Sequence, residues 1–256
     1  MFHEPMLAKT MTKRSSRFPA LAQPKIDGVR AMWDGHTAWT RTGHRHLPHV
    51  NALFAGVTIP EGALLLDGEL IVPGARHFEQ TQSAVTCAET ADGLKFLAFD
   101  CICREAAVPC RDRLAMIDTP LESTWVHNAT EIESVLDRFT ADGYEGIILR
   151  DPRAPYCPGR TTALQKYKRF QDAEFPILTV IEAGGKDAGT AVFVCCTRTN
   201  RTFTARPIGT RAHRARLWVE RASLVGCMAT VRFQGLSSYG VPRFPVAIAV
   251  RPIANA

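Results

Sequence analysis

Several features that define other classes of protein are missing from this 256-residue sequence. It contains no run of about 18 apolar residues, which predicts that no helix spans a membrane. The first residues, Met-Phe-His-Glu-Pro-Met, lack a basic segment followed by an apolar one, so they do not resemble a signal peptide. None of the eight cysteines forms a Cys-x-x-Cys pair, which argues against a zinc site of the usual spacing. The sequence therefore predicts a cytoplasmic protein with no membrane partner and with buried, free thiols.

Acidic residues are scarce in the last third of the chain. Residues 173–256 hold eleven Lys and Arg but only four Asp and Glu, a net charge of +7, whereas residues 1–172 carry a net charge of −1. Ten of those eleven cations are Arg. A localised basic segment suits a polyanionic partner, because cations that contact phosphates release counterions. The alternative is a basic face that is merely solvated.

Composition and patterning predict an α+β protein of one or two domains. The content of hydrophobic residues is 46% and that of charged residues 22%, which is ordinary for a globular chain with a sizeable core. Asp34-Gly35 predicts the turn of a hairpin, and apolar periodicity predicts helices. Five short β-rich runs after residue 172 predict a small OB-type barrel. The predicted helices are 77–91, 111–117, 131–139 and 211–221; the predicted barrel strands are 175–183, 191–197, 201–206, 228–234 and 246–250; the predicted domains are 1–172 and 173–256.

A lysine lies in the pattern Lys-x-Asp-Gly-x-Arg, formed by Lys25, Asp27, Gly28 and Arg30. A lysine amine attacks only after it has lost its proton, which a cationic or desolvated surrounding favours. The pattern alone is also compatible with a surface turn that carries a solvated lysine and a paired arginine. Its meaning depends on the rest of the chain.

Charged residues also interrupt apolar strand patterns downstream. Glu69 lies in an apolar run over residues 62–72, and Glu145 enters another over residues 143–150. Burying a carboxylate without a partner is costly, so functional carboxylates are the preferred interpretation. Lys166 and Lys168 lie two residues apart, and in a strand they would point to the same face. Two ammonium groups on one face repel each other unless an anion lies between them, which favours a phosphate site.

Three histidines form a small cluster at positions 44, 46 and 49. Imidazole can bind a metal, but no carboxylate or cysteine lies at a suitable spacing nearby. Solvated loop histidines are therefore predicted.

Six segments, in order, resemble the signatures of the covalent nucleotidyltransferases, which comprise ATP-dependent DNA ligases, RNA ligases and mRNA-capping guanylyltransferases. The set is most similar to that of small bacterial and viral ATP-dependent DNA ligases and extends over nearly the whole chain. The resemblance implies a nucleotidyltransferase domain of ATP-grasp-like antiparallel sheets with helices, followed by an OB-fold β-barrel. The segments are Lys25–Arg30, Arg41–Gly43, Leu66–Leu70, Phe96–Asp100, Glu145–Arg150 and Leu164–Lys168.

The resemblance also implies a role for each matching side chain. Lys25 is the nucleophile that attacks the α-phosphate of ATP, and Phe99 stacks on the purine. Gln23 and Phe99 could instead be an ordinary strand-end residue and a core residue. Around the nucleotide, Gln23 is implied to contact the edge of adenine, Arg30 to bind the nucleotide, and Lys166 and Lys168 to bind the phosphates. Glu69 is implied to contact the ribose or a metal ion, and Glu145 to bind Mg²⁺ (or Mn²⁺). Arg41 and Arg30 are implied to bind the 5′-phosphate of the nick.

The implied function is that of an ATP-dependent DNA ligase. Such an enzyme seals nicks in duplex DNA through a covalent lysyl-AMP intermediate and an adenylated 5′-phosphate, and we expect it to act as a monomer. ATP is preferred over NAD because only 24 residues precede Lys25. The alternatives are an RNA ligase or a capping-type guanylyltransferase, and a non-catalytic nucleic-acid-binding protein.

The last motif of the family is incomplete in this chain, and the cellular location has an alternative. Many relatives carry Asp-Lys shortly after the arginine that corresponds to Arg251, and this chain lacks it. Arg251 or Arg243 is the candidate to orient pyrophosphate in its place. Some small relatives also carry a leader, so a mature periplasmic form trimmed of one fits the same sequence.

Overall fold

A computed structural model of the chain describes residues 2–12, 17–75, 77–87 and 91–252. The chain divides into two compact units, residues 1–168 and 169–256. Among the described residues, no helix is both long and apolar enough to cross a membrane. The strands of the first unit are β1 Met6–Thr10, β2 Ala20–Lys25, β3 Val29–Trp33, β4 Ala38–Trp39, β5 Ala63–Ile71, β6 Lys95–Cys103, β7 Thr124–Val126, β8 Gly146–Arg150 and β9 Gly159–Tyr167; its helices are α1 Pro48–Ala52, α2 Phe78–Thr86, α3 Cys110–Ala115 and α4 Ala129–Ala141.

The first sheet has the strand order β1-β9-β8-β2-β7. β1 pairs with β9 in parallel, and the other pairs are antiparallel. Because side chains alternate along a strand, one face of the sheet carries Ala22 and Leu149 and packs on Leu136 and Phe139 of α4. The other face carries Gln23 and Lys25 together with apolar residues such as Leu21 and Ile148, so it combines polar and apolar side chains.

The second sheet has the order β4-β3-β5-β6 and is entirely antiparallel. Its core face packs Trp33 on Phe54, with ring centroids 4.7 Å apart, and Phe96 meets Phe54 edge to face. The predicted hairpin of residues 30–41 is β3 and β4. This sheet buries its apolar side on helices and loops, and turns charged side chains the other way.

A β-bulge in β6 sets the geometry of one site residue. Asp67 of β5 lies opposite Asp100, but its neighbour Gly68 lies opposite Ala98, so Phe99 is an extra residue in the ladder. A bulge re-aims side chains that would otherwise alternate. The ring of Phe99 and the carboxylate of Asp100 therefore both lie near the guanidinium of Arg150, at 5.5 Å from the ring centroid and 2.6 Å from Oδ2.

The second unit is a closed five-stranded barrel with the order β10-β11-β12-β14-β13. Its strands alternate between buried and exposed residues, as in Thr202–Pro207, and Phe193 and Ile177 lie in its interior. Thr210 caps the helix α5 by accepting a hydrogen bond from the backbone N–H of His213. The elements are β10 Gln171–Glu182, a short 3-10 helix Gly185–Asp187, β11 Ala191–Cys196, β12 Thr202–Pro207, α5 Arg211–Val219, α6 Arg221–Leu224, β13 Met228–Phe233 and β14 Val246–Arg251.

This architecture confirms the predicted fold class, an α+β unit followed by a closed barrel. The predicted helices are present with shifted ends, and residues 88–90 of the first lie outside the described part of the chain. The helix predicted over 211–221 ends earlier and is followed by the short α6, because Glu220 leaves helical geometry. All eight cysteines are free, as predicted, but only four of them are buried: Cys157, Cys196 and Cys227 are partly buried, and Cys87 is exposed.

Candidate functional site

A pocket of about 250 Å³ opens in the first unit, where side chains of its two sheets converge. Most of the residues predicted for a nucleotide or a phosphate line it. Arg150 and Leu164 line it as well, although the sequence prediction assigned them no role. The predicted residues among the lining are Gln23, Lys25, Arg30, Arg41, Glu69, Phe99 and Lys166.

Lys25, Glu145 and Lys168 form the charged centre beside this pocket. Lys25 ends β2 opposite Gly146, and its carbonyl accepts a hydrogen bond of 3.0 Å from the N–H of Glu145. The Glu145 carboxylate bridges two ammonium groups, with Oε2 accepting from Lys25 Nζ and Oε1 from Lys168 Nζ. Lys168 lies just past the end of β9 rather than within a strand, but it still joins Lys25, because β9 runs beside β8.

Gly146 permits this arrangement. A Cβ at that position would lie 2.4 Å from the carbonyl oxygen of Tyr167 and 2.8 Å from the Cβ of Lys168. Only glycine lets the chain of Lys168 approach β8 so closely. Gly146, which follows Glu145, therefore leaves the space in which Lys168 can lie next to that glutamate.

The electrostatics of this centre follow from burial and from the neighbouring charges. Burial pushes the pKa of the Glu145 carboxyl upward, but Lys25 and Lys168 outweigh it and leave that pKa below its usual value. Burial lowers the pKa of Lys168, and Glu145 partly offsets this. Burial, Lys168 and Lys25 together lower the pKa of Lys166. Three lysines around one carboxylate form a surplus of positive charge that suits an anion.

Glu69 has different surroundings. It lies opposite Arg30 in the second sheet, lines the pocket, and accepts no hydrogen bond from any described residue. Burial raises the pKa of its carboxyl to about 8, although Arg30 and Lys25 oppose the shift. Its oxygens are therefore uncommitted and can accept a hydroxyl hydrogen or bind a cation.

Arg30 is held by a network that the sequence prediction missed. Its Nε donates to Asp67 Oδ1 at 2.8 Å, its second nitrogen donates to Asp67 Oδ2, and Nη1 donates to the carbonyl of Met6 at 2.9 Å. The hydroxyl of Tyr156 donates to the same carboxylate at 2.6 Å and accepts from the N–H of Met6 at 3.0 Å. Arg30 thus lines the pocket while most of its donors tie β1, β3 and β5 together.

Gln23 is also part of a buried network. Its side-chain oxygen accepts from Arg150, Arg150 donates to Asp100, and Arg113 holds the same carboxylate through two hydrogen bonds of 2.8 and 3.1 Å. Sequence spacing could not reveal these partners, because Gln23 and Arg150 are 127 positions apart. The only available signal was an acid and an arginine in apolar strand patterns, Asp100 and Arg150; Arg113 lies in α3.

Arg41 lies at the tip of a tight loop after β4 and is exposed. The loop closes through a 2.7 Å hydrogen bond from the N–H of Thr40 to the carbonyl of His44, and Gly43 adopts a φ of +83°. His46 follows the loop, and its ring nitrogen Nε2 lies 3.1 Å from the carbonyl of Arg30. The prediction of solvated loop histidines is therefore wrong for His46, which is partly buried. It is also wrong for His49, which is partly buried in α1 with Nε2 3.0 Å from the carbonyl of Ala84.

The carboxylates of the pocket fit a Mg²⁺ ion whose other ligands are water molecules and substrate phosphates. In the described ranges, no group of three or more His, Cys, Asp and Glu side chains is close enough to hold a metal. Two carboxylates, Glu69 and Glu145, lie at or beside the pocket. Mg²⁺ commonly uses one or two carboxylates together with substrate phosphates and water.

The fold is that of the ligase nucleotidyltransferases. A solved structure described as a Lig E DNA ligase, in a study of DNA binding with a minimal scaffold, superposes with a TM-score of 0.81 and 27% sequence identity, covering 98% of this chain and 100% of that one. The Chlorella virus DNA ligase-adenylate superposes with a TM-score of 0.58 and 26% identity, covering 98% and 100%.

The sequence narrows this class to one family. A family model described as "ATP dependent DNA ligase domain" matches residues 5–168. The chain therefore belongs to the ATP-dependent DNA ligases. It is also 27% identical over 234 residues to a DNA ligase of Haemophilus influenzae, covering 86% of this chain and 82% of that protein. Other bacterial and viral ligases that it matches are longer, and the matches span 38 to 48% of their length.

Proposed function

We propose that this ligase seals nicks in duplex DNA, with Lys25 as the residue that carries AMP. The observation that supports this most directly is the Lys25–Glu145–Lys168 centre at the edge of a pocket lined by Lys166. A nucleophilic amine and two further ammonium groups converge where a triphosphate can enter. The ATP dependence of the family agrees with this charge distribution.

In the first step, the neutral amine of Lys25 attacks the α-phosphorus of ATP. A P–N bond forms, the bond to the bridging oxygen breaks, pyrophosphate leaves with the electron pair, and the amine loses its proton. Lys166 and Lys168 stabilise the charge that develops on the phosphates, which is the kind of contact that contributes most to such reactions. We propose that Phe99 covers a face of the base and that Glu69 accepts a ribose hydroxyl, because both residues line the pocket.

Glu145 and Glu69 are the residues that would hold Mg²⁺ or Mn²⁺. Bound there, the ion would neutralise phosphate charge. Because both Glu145 oxygens already accept from lysines, we expect the cation and those ammonium groups to share this carboxylate. Glu69 has no hydrogen bond from a described residue to break, but because burial raises its pKa to about 8, its carboxyl must lose a proton to bind the ion.

In the later steps, AMP passes from Lys25 to the 5′-phosphate of the nick, and the 3′-hydroxyl then displaces AMP and joins the strand. Arg41 is exposed at the pocket, and its planar guanidinium can hold a phosphate in bidentate fashion. Four of the five N–H donors of Arg30 have protein partners, the fourth being the Tyr156 hydroxyl at 3.4 Å from Nη2, so its proposed contact with the same phosphate is limited to one donor on Nη1.

We also propose that the two units are an adenylation domain and a DNA-binding barrel in a monomeric enzyme. The second unit carries a net charge of +7, almost entirely from arginine. Aromatic rings lie beside some of these arginines, with Arg201 5.5 Å from the ring of Tyr239 and Arg243 5.7 Å from that of Phe244. Arginine interleaved with exposed aromatics is typical of surfaces that bind nucleic acids.

The proposal is tested with Lys25→Ala and, as a matched control, Lys186→Ala in the barrel. Each protein is incubated with α-³²P-labelled ATP or GTP and then offered nicked DNA or nicked RNA. We expect ATP labelling and DNA sealing by the wild type and by Lys186→Ala, and no labelling of Lys25→Ala. The Lys25 variant should still seal a nick that is already adenylated, because that reaction needs no lysyl-AMP. Labelling of Lys25→Ala, or sealing of RNA alone, would overturn the proposal.

A further inference from the structure

Gln23 is placed to read the edge of a base. It lies two residues before Lys25 on the same face of β2, so its side chain points into the same pocket. Its side chain is 1% exposed. An amide can present either a donor or an acceptor to a ligand, and which one it presents depends on how its two ends are held.

The oxygen end is fixed by Arg150. The side-chain oxygen of Gln23 accepts a hydrogen bond of 2.5 Å from Arg150 Nε. A guanidinium has donors only, so an amide nitrogen facing it would leave two donors opposed. Arg150 cannot turn away freely, because it donates to Asp100 at 2.6 Å and is itself buried.

The nitrogen end is fixed by Ser123 and by a backbone carbonyl. Gln23 Nε2 donates to Ser123 Oγ at 3.1 Å and to the carbonyl of Phe99 at 3.4 Å. The Ser123 hydroxyl donates its own hydrogen to the carbonyl of Leu121 at 3.2 Å, which leaves its oxygen as an acceptor. A flipped amide would therefore place an oxygen against two acceptors at this end.

In this fixed orientation, the Gln23 amide has one hydrogen-bonding position left, on its oxygen. Both hydrogens of Nε2 are used, whereas the side-chain oxygen has two lone pairs and Arg150 takes one. Gln23 can thus offer the pocket an acceptor but not a donor. An amino group at position 6 of a purine, as in adenine, matches this acceptor, whereas the 6-oxo group of guanine or hypoxanthine would oppose it.

We propose that Arg150 and Ser123 are positioning residues that fix the orientation of the Gln23 amide, and that they thereby select nucleotides whose base carries an amino group at position 6. This inference rests on the proposed function, since it concerns the same nucleotide pocket. Arg150 also lies 5.5 Å from the ring of Phe99. One guanidinium thus holds both the group proposed to read the base edge and the ring proposed to cover its face.

The test compares the covalent loading of three triphosphates, measured by intact-protein mass spectrometry over a range of concentrations. They are ATP, the 2,6-diaminopurine analogue, which keeps the 6-amino group, and ITP, which replaces it with an oxo group. We expect the wild type to load the first two with kcat/KM values within roughly tenfold of each other and to disfavour ITP by about 100-fold, because a site built to hydrogen-bond a group rejects analogues that lack it.

Arg150→Lys and Arg113→Lys form the matched pair of variants. Both replace an arginine of the Asp100 network, but only Arg150 touches Gln23. We expect the preference for ATP over ITP to narrow at least about tenfold in Arg150→Lys and to stay unchanged in Arg113→Lys. Ser123→Ala, at an exposed residue whose loss should not prevent folding, should narrow it by a smaller factor.

The outcomes separate this inference from the function it rests on. Equal ATP-to-ITP ratios in the wild type, Arg150→Lys and Ser123→Ala would overturn the positioning role, and so would an equal loss in Arg113→Lys. A wild type that forms no adduct with any of the three nucleotides would instead overturn the proposed function. Melting temperatures of all variants, measured in parallel, report the stability effect that a purely structural role would produce.

Discussion

Arg30 and Arg41 are proposed to contact the same phosphate, yet their surroundings differ. Arg30 is paired with the buried carboxylate of Asp67, which has no exposed surface. Arg41 is exposed and forms no hydrogen bond with any described residue. An arginine that already holds a buried acid contributes mainly to stability, whereas an exposed arginine at a pocket is available to a substrate.

We therefore expect Arg41→Ala to leave covalent AMP loading nearly intact and to reduce nick sealing by roughly 10- to 100-fold, since a charge-assisted hydrogen bond contributes about 1.5–3 kcal/mol. Arg30→Ala should instead lower the free energy of unfolding by about 3–5 kcal/mol, because it leaves a buried carboxylate unpaired. Labelling, sealing and chemical denaturation of both variants check this. If labelling falls as far as sealing does in Arg41→Ala, the residue belongs to the nucleotide site.

The raised pKa of Glu69 predicts that the free energy of unfolding depends on pH. Its pKa is about 8 in the folded protein and 4.5 in its ordinary environment, so between these values the folded state binds more protons than the unfolded state. Stability from this group is therefore present at low pH and lost as pH rises toward 8, by at most about 1.4 kcal/mol per pH unit. Glu69→Gln should flatten this part of the curve.

The measurement is urea denaturation between pH 5 and 8, with chelator present and without nucleotide. Glu61→Gln, at an exposed carboxylate of the same unit, is the control and should follow the wild type. A curve for Glu69→Gln that parallels the wild type would mean that Glu69 is ionised in the free protein.

Local patterns in the sequence identify one kind of site residue and miss another. Lys25, Glu145 and Lys168 belong to short motifs that interrupt apolar strands, so their charge in that context is visible along the chain. Tyr156 and Ser123 are not visible in this way, because their partners lie far away in sequence: Tyr156 is 89 positions from Asp67, and Ser123 is 100 from Gln23. Only the pairing of the strands brings them together.

At the level of elements, the predictions were most accurate where periodicity and turn residues agree. Three barrel strands, β11, β12 and β13, alternate between more and less buried residues and lie close to their predicted ranges, whereas β10 does not alternate regularly and begins four residues before its predicted start. The bulge at Phe99 could not be predicted, because an extra residue in a ladder is defined by its partner strand rather than by its own sequence.

Gly146 supplies a prediction at this scale. We expect Gly146→Ala to lower the free energy of unfolding by about 1–3 kcal/mol, since its Cβ would overlap the chain at Tyr167 and Lys168. It should also slow AMP loading, because Lys168 must move away from Glu145. Gly184→Ala is the control, as no atom lies within 4 Å of its added Cβ and its φ is −84°. Normal loading in a destabilised Gly146→Ala would show that Lys168 keeps its place without the glycine.

At the scale of the whole molecule, charge divides the two units. The first unit, in which we propose that the chemistry takes place, has a net charge of −1, and the second unit has a net charge of +7. If the barrel supplies the phosphate contacts, affinity for DNA should fall with salt with a log–log slope of about −0.9 for each phosphate neutralised. Removal of residues 169–256 should then reduce both the affinity and the slope.

The comparison uses the full chain and residues 1–168 on a pre-adenylated nick across a salt series. Because that substrate needs neither ATP nor the release of pyrophosphate, any role of Arg243 or Arg251 in the first step does not affect the result. Matching affinities and slopes for the two proteins would exclude the barrel as the source of DNA binding.

The positive charge of the two units also differs in kind. The chain has 24 arginines but only seven lysines; Lys25, Lys166 and Lys168 gather around Glu145 and the pocket, and Lys186 is the single lysine after residue 168. Acetylation and other acylating reactions modify amines and leave guanidinium groups charged. Three of the seven lysines therefore lie at the proposed catalytic centre and one lies in the barrel, so acylation can remove the amines of the centre while the arginines of the barrel keep their charge. If the barrel binds DNA and Lys25 carries AMP as proposed, a protein acylated at Lys25 would still occupy a nick but could not close it.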